Sequence, residues 1–74
     1  MYITLTNIAE AHRGNKIAIN TELIATVYET NAPSENGTLV PVTLVFCPPH
    51  GTWEVQESFT DVVTELNNLN WNNK

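Results

Sequence analysis

Hydrophobic and polar positions alternate from the start of this chain, and the alternation gives way to a helical period only once. In Tyr2-Ile3-Thr4-Leu5-Thr6, Ile3 and Leu5 fall on one side and the threonines on the other, the pattern of a half-buried strand. Asn7 to Asn15 is a connection. Its Ile8-Ala9-Glu10-Ala11 fits one helical turn capped by Asn7, and Gly14-Asn15 supplies the positive φ of a turn back. Lys16 to Asn20 is a second strand with Ile17 and Ile19 inward, and Asn20-Thr21-Glu22 is a tight polar turn. Leu23 to Thr30 fits either a helical face or a strand exposed on both sides; its β-branched and aromatic content selects the strand.

Asn31 to Gly37 is turn chemistry throughout, with Asn36-Gly37 as a hairpin signal. Thr38 to Cys47 is the longest strand, with Val42, Leu44 and Phe46 on one face and Thr43, Val45 and Cys47 on the other. Pro41 cannot donate to a ladder, so its end of the strand is an edge or a bulge. Pro48-Pro49-His50-Gly51 turns the chain into a short last strand with Trp53 and Val55 inward. Ser58 then stands as a helix N-cap with Asp61 three residues on, a carboxylate at the positive end of the helix dipole. Phe59, Val62, Val63, Leu66 and Leu69 form the apolar stripe that must lie on the sheet. The pattern predicts an α+β fold: a small, curved, mostly antiparallel sheet of about five strands with one C-terminal helix packed on it. Residues 1–69 form the domain, the helix covers 58–69, and 70–74 is an Asn-rich tail.

Size changes what such a fold must do to be stable. A chain of 74 residues buries only about 60% of the surface its unfolded form exposes. Small domains commonly add disulfides, a metal or a partner subunit. One cysteine rules out an intrachain disulfide, and one cysteine with two distant histidines makes no structural zinc site. Self-association is the remaining route, and a homo-oligomer is expected. No cofactor is read from the chain. No apolar run approaches the roughly 20 residues that span a bilayer, so no membrane insertion is expected. The alternating start lacks a basic region and does not read as a signal peptide, which with the lone cysteine points to the cytoplasm. The net charge of −5 sets eight acids against Arg13, Lys16 and Lys74. Three cations cannot neutralise a phosphate backbone, so nucleic acid is not expected as the main partner.

The placed elements resemble the small FlbD-type flagellar and swarming-motility proteins. The resemblance rests on Ile3-Thr4-Leu5-Thr6, on Ile17-Ala18-Ile19-Asn20 with Glu22-Leu23-Ile24, on Thr43-Leu44-Val45, and on Trp53-Glu54-Val55-Gln56-Glu57-Ser58-Phe59 with Val62-Val63. It covers most of residues 3–66 through common strand and helix grammar. The longer connection Asn7–Asn15, the enlarged Asn31–Gly37, the Pro48–Gly51 turn, the net acidity and the Asn-rich tail depart from it. The resemblance implies a non-enzymatic accessory protein acting through protein contacts at the flagellar motor. A phage accessory protein of the same architecture is an equal alternative, because a fold hosts many functions.

Chemistry is sparse. Cys47 and His50 suggest a thiol nucleophile, but no orienting third group or oxyanion site accompanies them; a small apolar residue at a strand end is the plainer reading. His12, Arg13, Asn15 and Lys16 gather positive charge in a glycine-containing loop that is able to hold a phosphate or carboxylate, with Trp53 or Tyr28 as a stacking partner. The plain alternative for this loop is a solvated hairpin tip, and for Trp53 it is core packing. Glu54, Glu57, Asp61 and Glu65 read as solubility before they read as an acidic docking face. No acid–base pair, nucleophile set or metal cluster is legible. The functional expectation is a non-catalytic interaction protein acting as a homo-oligomer, with an oligomeric binder of a small anionic ligand such as a cyclic nucleotide, a phage counter-defence activity, as the alternative. The loops at Ala9–Lys16 and Asn31–Gly37 are the places to look.

Overall fold

A computed structural model describes residues 1–34 and 36–69. Five strands and one helix follow in order: β1 (Tyr2–Thr6), β2 (Lys16–Asn20), β3 (Thr26–Pro33), β4 (Leu39–Cys47), β5 (Gly51–Val55) and α1 (Phe59–Asn68). The strands do not form the single curved sheet that the alternation suggested. They divide into an antiparallel pair, β1–β2, and an antiparallel three-stranded sheet in the order β3–β4–β5. One isolated antiparallel bridge, Asn7 to Val55, connects the two. Local alternation specifies a strand and its inward side but not which strand lies beside it, so sheet membership was outside its reach.

The core lies between the layers. Ile3 pairs with Ile19 and Leu5 with Ile17 across β1–β2, and this apolar side meets Val45, Cys47 and Val55 from the three-stranded sheet. Ile24, Val62 and Leu66 complete the cluster, with Trp53, Val27 and Leu69 packed against its margin. Ser58 caps α1 as its position suggested: its Oγ accepts the Asp61 N–H at 3.1 Å. The stripe lands as expected at Val62 and Leu66, both buried. Phe59, in the first turn, remains exposed. The approach of α1 is closest to β3.

The 3₁₀ turn in the first connection lies at Glu10–His12, one or two residues beyond the turn expected at Ile8–Ala11. Asn7 still acts there, its Oδ1 accepting the Ala9 N–H at 2.9 Å. A second 3₁₀ turn, Thr21–Leu23, uses Asn20 as its cap. It takes Leu23 out of the strand, so β3 begins at Thr26 and not at Leu23. At its other end β3 runs to Pro33, through residues expected as loop, because Asn31, Ala32 and Pro33 find partners in Pro41, Val40 and Leu39. The actual turn is short and centred on Asn36-Gly37, with Gly37 at φ +84°. Its closure comes from Ser34 N–H to Thr38 O (2.8 Å) and Gly37 N–H to Ser34 O (2.9 Å).

The β3–β4 hairpin is longer than its neighbour. β5 pairs only with Thr43 to Cys47, so Leu39 to Val42 and their partners on β3 extend past it as a two-stranded arm. Pro41 lies in that arm, where β4 has one open side and a missing donor interrupts no three-strand ladder. The Asn-rich tail and Trp71 lie outside the described residues.

Burial sets the expected cost of truncation. Leu66→Ala removes a side chain that is 1% exposed and is expected to cost about 2–5 kcal/mol. Leu44→Ala, on the half-buried face of β4, is expected to cost about 1 kcal/mol or less in the isolated chain. Urea denaturation of the two variants at low protein concentration checks the contrast.

Candidate functional site

β4 carries apolar side chains on both of its faces. Thr43, Val45 and Cys47 point into the core, and Val45 is 0% exposed. Register then puts Val40, Val42, Leu44 and Phe46 on the outer side, flanked on β3 by Ala32, Thr30, Tyr28 and Thr26 and on β5 by Glu54 and Thr52. The described residues place no layer over this side. Phe46 is 40% exposed, Tyr28 41% and Val40 36%. A strand apolar on both faces is the signature of a sheet buried on both sides, yet the described residues cover one side only.

The first connection overhangs one end of this outer face. The Asn7–Val55 bridge continues the order beyond β5, and Ile8 N–H donates to Glu54 O at 3.0 Å. Ile8 thus joins the row Tyr28–Leu44–Glu54 on the outer side. Between this overhang and the hairpin arm lies an open groove of about 480 Å³. Its apolar floor and walls come from Ile8, Ala32, Val40 and Val42, and its charged groups are Arg13 and Glu54. The groove therefore joins the two loops, Ala9–Lys16 and Asn31–Gly37, that sequence departures had marked.

Of the ligand residues expected from sequence, Arg13 alone lines this groove. Lys16 is engaged elsewhere, its Nζ donating to Thr6 Oγ1 at 3.0 Å. Asn15 closes its own loop: its carbonyl accepts the Asn7 N–H (2.8 Å) and its N–H donates to His12 O (3.1 Å). Gly14 N–H donates to Asn7 O at 2.8 Å, so the amides expected to cradle an anion are used to close the turn. Trp53 lies on the opposite, core-facing side of β5, packed at the core margin as its plainer reading held, and its ring stacks on His50 at 4.3 Å and 14°. These two rings, with Tyr2, Leu23, Pro48 and Pro49, line a second cleft of about 340 Å³.

Cys47 is buried and unpaired, and burial pushes its thiol pKa up. An activated nucleophile needs the opposite shift. His50, its proposed base, is the residue stacked on Trp53. Among the described residues no three His, Cys, Asp or Glu side chains come together as a metal-ligand set, and no helix is long and apolar enough to cross a membrane.

Sequence reasoning missed the most connected polar group. Glu57, expected as surface charge, accepts the Thr6 N–H at 2.9 Å through one oxygen and the Thr6 hydroxyl at 3.0 Å through the other. Partial burial pushes its carboxyl pKa up. The hydrogen bonds from Thr6, its own amide and the nearby Lys16 charge outweigh that push, leaving the net value below the usual range. The contact spans 51 positions in sequence, and no local pattern signals it.

Comparison with family models, with curated proteins and with solved structures returns no match.

The Glu57 contacts have a pH consequence. A carboxyl whose pKa is lower folded than unfolded contributes stability above the unfolded value of 4.5, and that contribution is lost as pH falls through the folded value. Glu57→Gln is expected to cost about 1 kcal/mol at pH 7, modest because the group is partly solvated. The variant is also expected to flatten the acid side of the stability curve below about pH 4.5. Urea midpoints from pH 7 to pH 3 check both effects.

Proposed function

We propose that this chain is a non-catalytic interaction protein that works through protein–protein contact as a homo-oligomer, with the outer face of β3–β4–β5 as its working surface. One observation carries the reading: register puts Val40, Val42, Leu44 and Phe46 on the outer side of β4, with Val40 and Phe46 exposed and Val42 and Leu44 half-buried. Monomeric proteins rarely expose a contiguous apolar patch of this kind. Aromatic enrichment and charge depletion are the marks of interface centres, and the outer positions of β3 and β4 hold two aromatic rings and no charged side chain. Size points the same way, since a 74-residue domain with one free cysteine has few other means of burying more surface. A reducing, cytoplasmic setting belongs to this reading, and so does an accessory role of the FlbD type or its phage-borne equivalent.

Light scattering coupled to gel filtration tests the oligomer. The expected mass is a multiple of the 8.3 kDa chain mass; 8.3 kDa at every loading concentration overturns the homo-oligomer.

The second reading, an oligomeric binder of a small anionic ligand such as a cyclic nucleotide, draws on the groove, where Arg13 stands beside Ser34 and Asn36. It predicts that a nucleotide raises the thermal midpoint of the wild type and that Arg13→Ala abolishes the rise. No rise with any member of a nucleotide panel removes this reading.

A further inference from the structure

We propose that the occupant of the outer sheet face is a second copy of this chain, packed face to face about a two-fold axis, with Arg13 of each copy opposite Glu54 of the other. The proposal rests on the interaction reading above and names the partner and the arrangement.

Charge selects a second copy. The chain carries −5 overall, so two copies repel wherever acidic surfaces meet. Along the outer face the paired positions are Thr26, Tyr28, Thr30 and Ala32 on β3 against Phe46, Leu44, Val42 and Val40 on β4. Other described acids sit off these outer positions: Glu29 pairs with Thr43 on the other side of the sheet, Glu10 lies in the first connection, and Glu57, Asp61 and Glu65 lie at and along the helix. Glu54 is the single carboxylate among the outer strand positions, and Arg13 lines the same groove. Among the described residues neither side chain takes part in a hydrogen bond or ion pair. Among the described residues the groove carries one cation and one anion, both uncommitted, and a two-fold axis that passes between them sets unlike charges together. Among the described residues, a strongly basic partner would find only this one acid at the outer strand positions, and an acidic partner only Arg13 in the groove.

Area sets the strength. Five residues of β4 in the three-stranded part and four in the two-stranded arm, at about 3.3 Å each with strands about 4.8 Å apart, make a face of roughly 370 Å². Two such faces bury on the order of 700 Å² in flat projection, and the overhang of Ile8 and Arg13 adds to it, which is the scale of weak, transient interfaces. The dimer is therefore weak and reversible, with a Kd expected between about 10 µM and 1 mM. An isologous contact of this kind closes at two copies and leaves no open end for fibre growth.

Sedimentation equilibrium over about 1 µM to 1 mM chain spans the expected Kd and tests the arrangement. Wild type is expected to pass from monomer to dimer across this range. Leu44→Glu, and independently Phe46→Ser, are expected to stay monomeric with unchanged far-ultraviolet circular dichroism. Arg13→Glu and Glu54→Arg are each expected to raise Kd about tenfold or more by placing like charges opposite each other. Arg13→Glu with Glu54→Arg is expected to return to within about threefold of wild type. Arg13→Glu with Glu65→Arg has the same net charge but places its new cation on the helix, and it is expected not to recover.

Each alternative result has one meaning. A wild type that stays monomeric over the whole range overturns this proposal and the homo-oligomer together. Dimers that survive both face substitutions overturn this proposal and leave an oligomer built on another surface. Loss on the face substitutions without recovery in the Arg13–Glu54 exchange overturns the two-fold arrangement.

Discussion

The fold depends on three consecutive residues, Thr6, Asn7 and Ile8, which hold the two sheets together. β1 ends there, with β2 on one side of it and β5 on the other. Gln56 N–H donates to Thr6 O at 2.8 Å and Ile8 N–H to Glu54 O at 3.0 Å, forming the short ladder around the Asn7–Val55 bridge. On the opposite side Asn7 N–H reaches Asn15 O at 2.8 Å. Both backbone groups of Asn7 are thus used in closing the first loop or the seam, and the residue is buried. The Thr6 hydroxyl lies between Lys16 and Glu57, donating to the carboxylate and receiving from the ammonium. Charge-assisted hydrogen bonds of this kind are stronger than neutral ones, and here they tie β1, β2 and the approach to α1 at one point.

That seam also shapes the outer surface. Ile8 follows Asn7 directly, so the bridge that joins the sheets carries Ile8 past β5 and brings the Arg13 loop to the end of the outer face. The groove is a by-product of how the core is closed. The arm on its other side exists because β5 stops at Val55, where the chain leaves the sheet to begin α1. Its two strands keep pairing beyond that point because Asn31 to Pro33 and Leu39 to Pro41 satisfy one another. β4 serves both sides of the sheet: its inner residues complete the core, and its outer residues lie where the described chain adds no further layer.

The one thiol of the chain is buried, with a pKa raised by burial, and the lysine and arginine of the described residues are divided between a structural hydrogen bond at Lys16 and a groove margin at Arg13. The loop that looked suited to an anion closes on its own amides. An isolated loop with glycine, arginine and lysine has free donors; this one has spent them on Asn7 and His12. A sequence lists which donors a segment owns, whereas only the folded chain shows which of them are already taken.

Much of the local structure was legible because it is encoded locally. β1, β2 and β5, the Ser58 cap, the Asn36-Gly37 turn and the inward sides of these strands follow from alternation, capping and turn chemistry within a few residues. The ends of β3 were not legible, because Asn31 to Pro33 become strand only through partners on β4. Nor was the split into two sheets, since register and neighbour choice are settled by long-range packing. β4 is the clearest case. Its period of two divided Val42, Leu44 and Phe46 from Thr43, Val45 and Cys47, but both sets are apolar enough to be buried, and no sequence rule ranks them. Only the tertiary structure chose, by laying β1, β2 and α1 against the Val45 side, where Ile3, Ile19, Val62 and Leu66 join Val45 and Cys47 in the core. The bulkier Leu44 and Phe46 remained on the outer side, because one sheet can turn only one of its faces to this core.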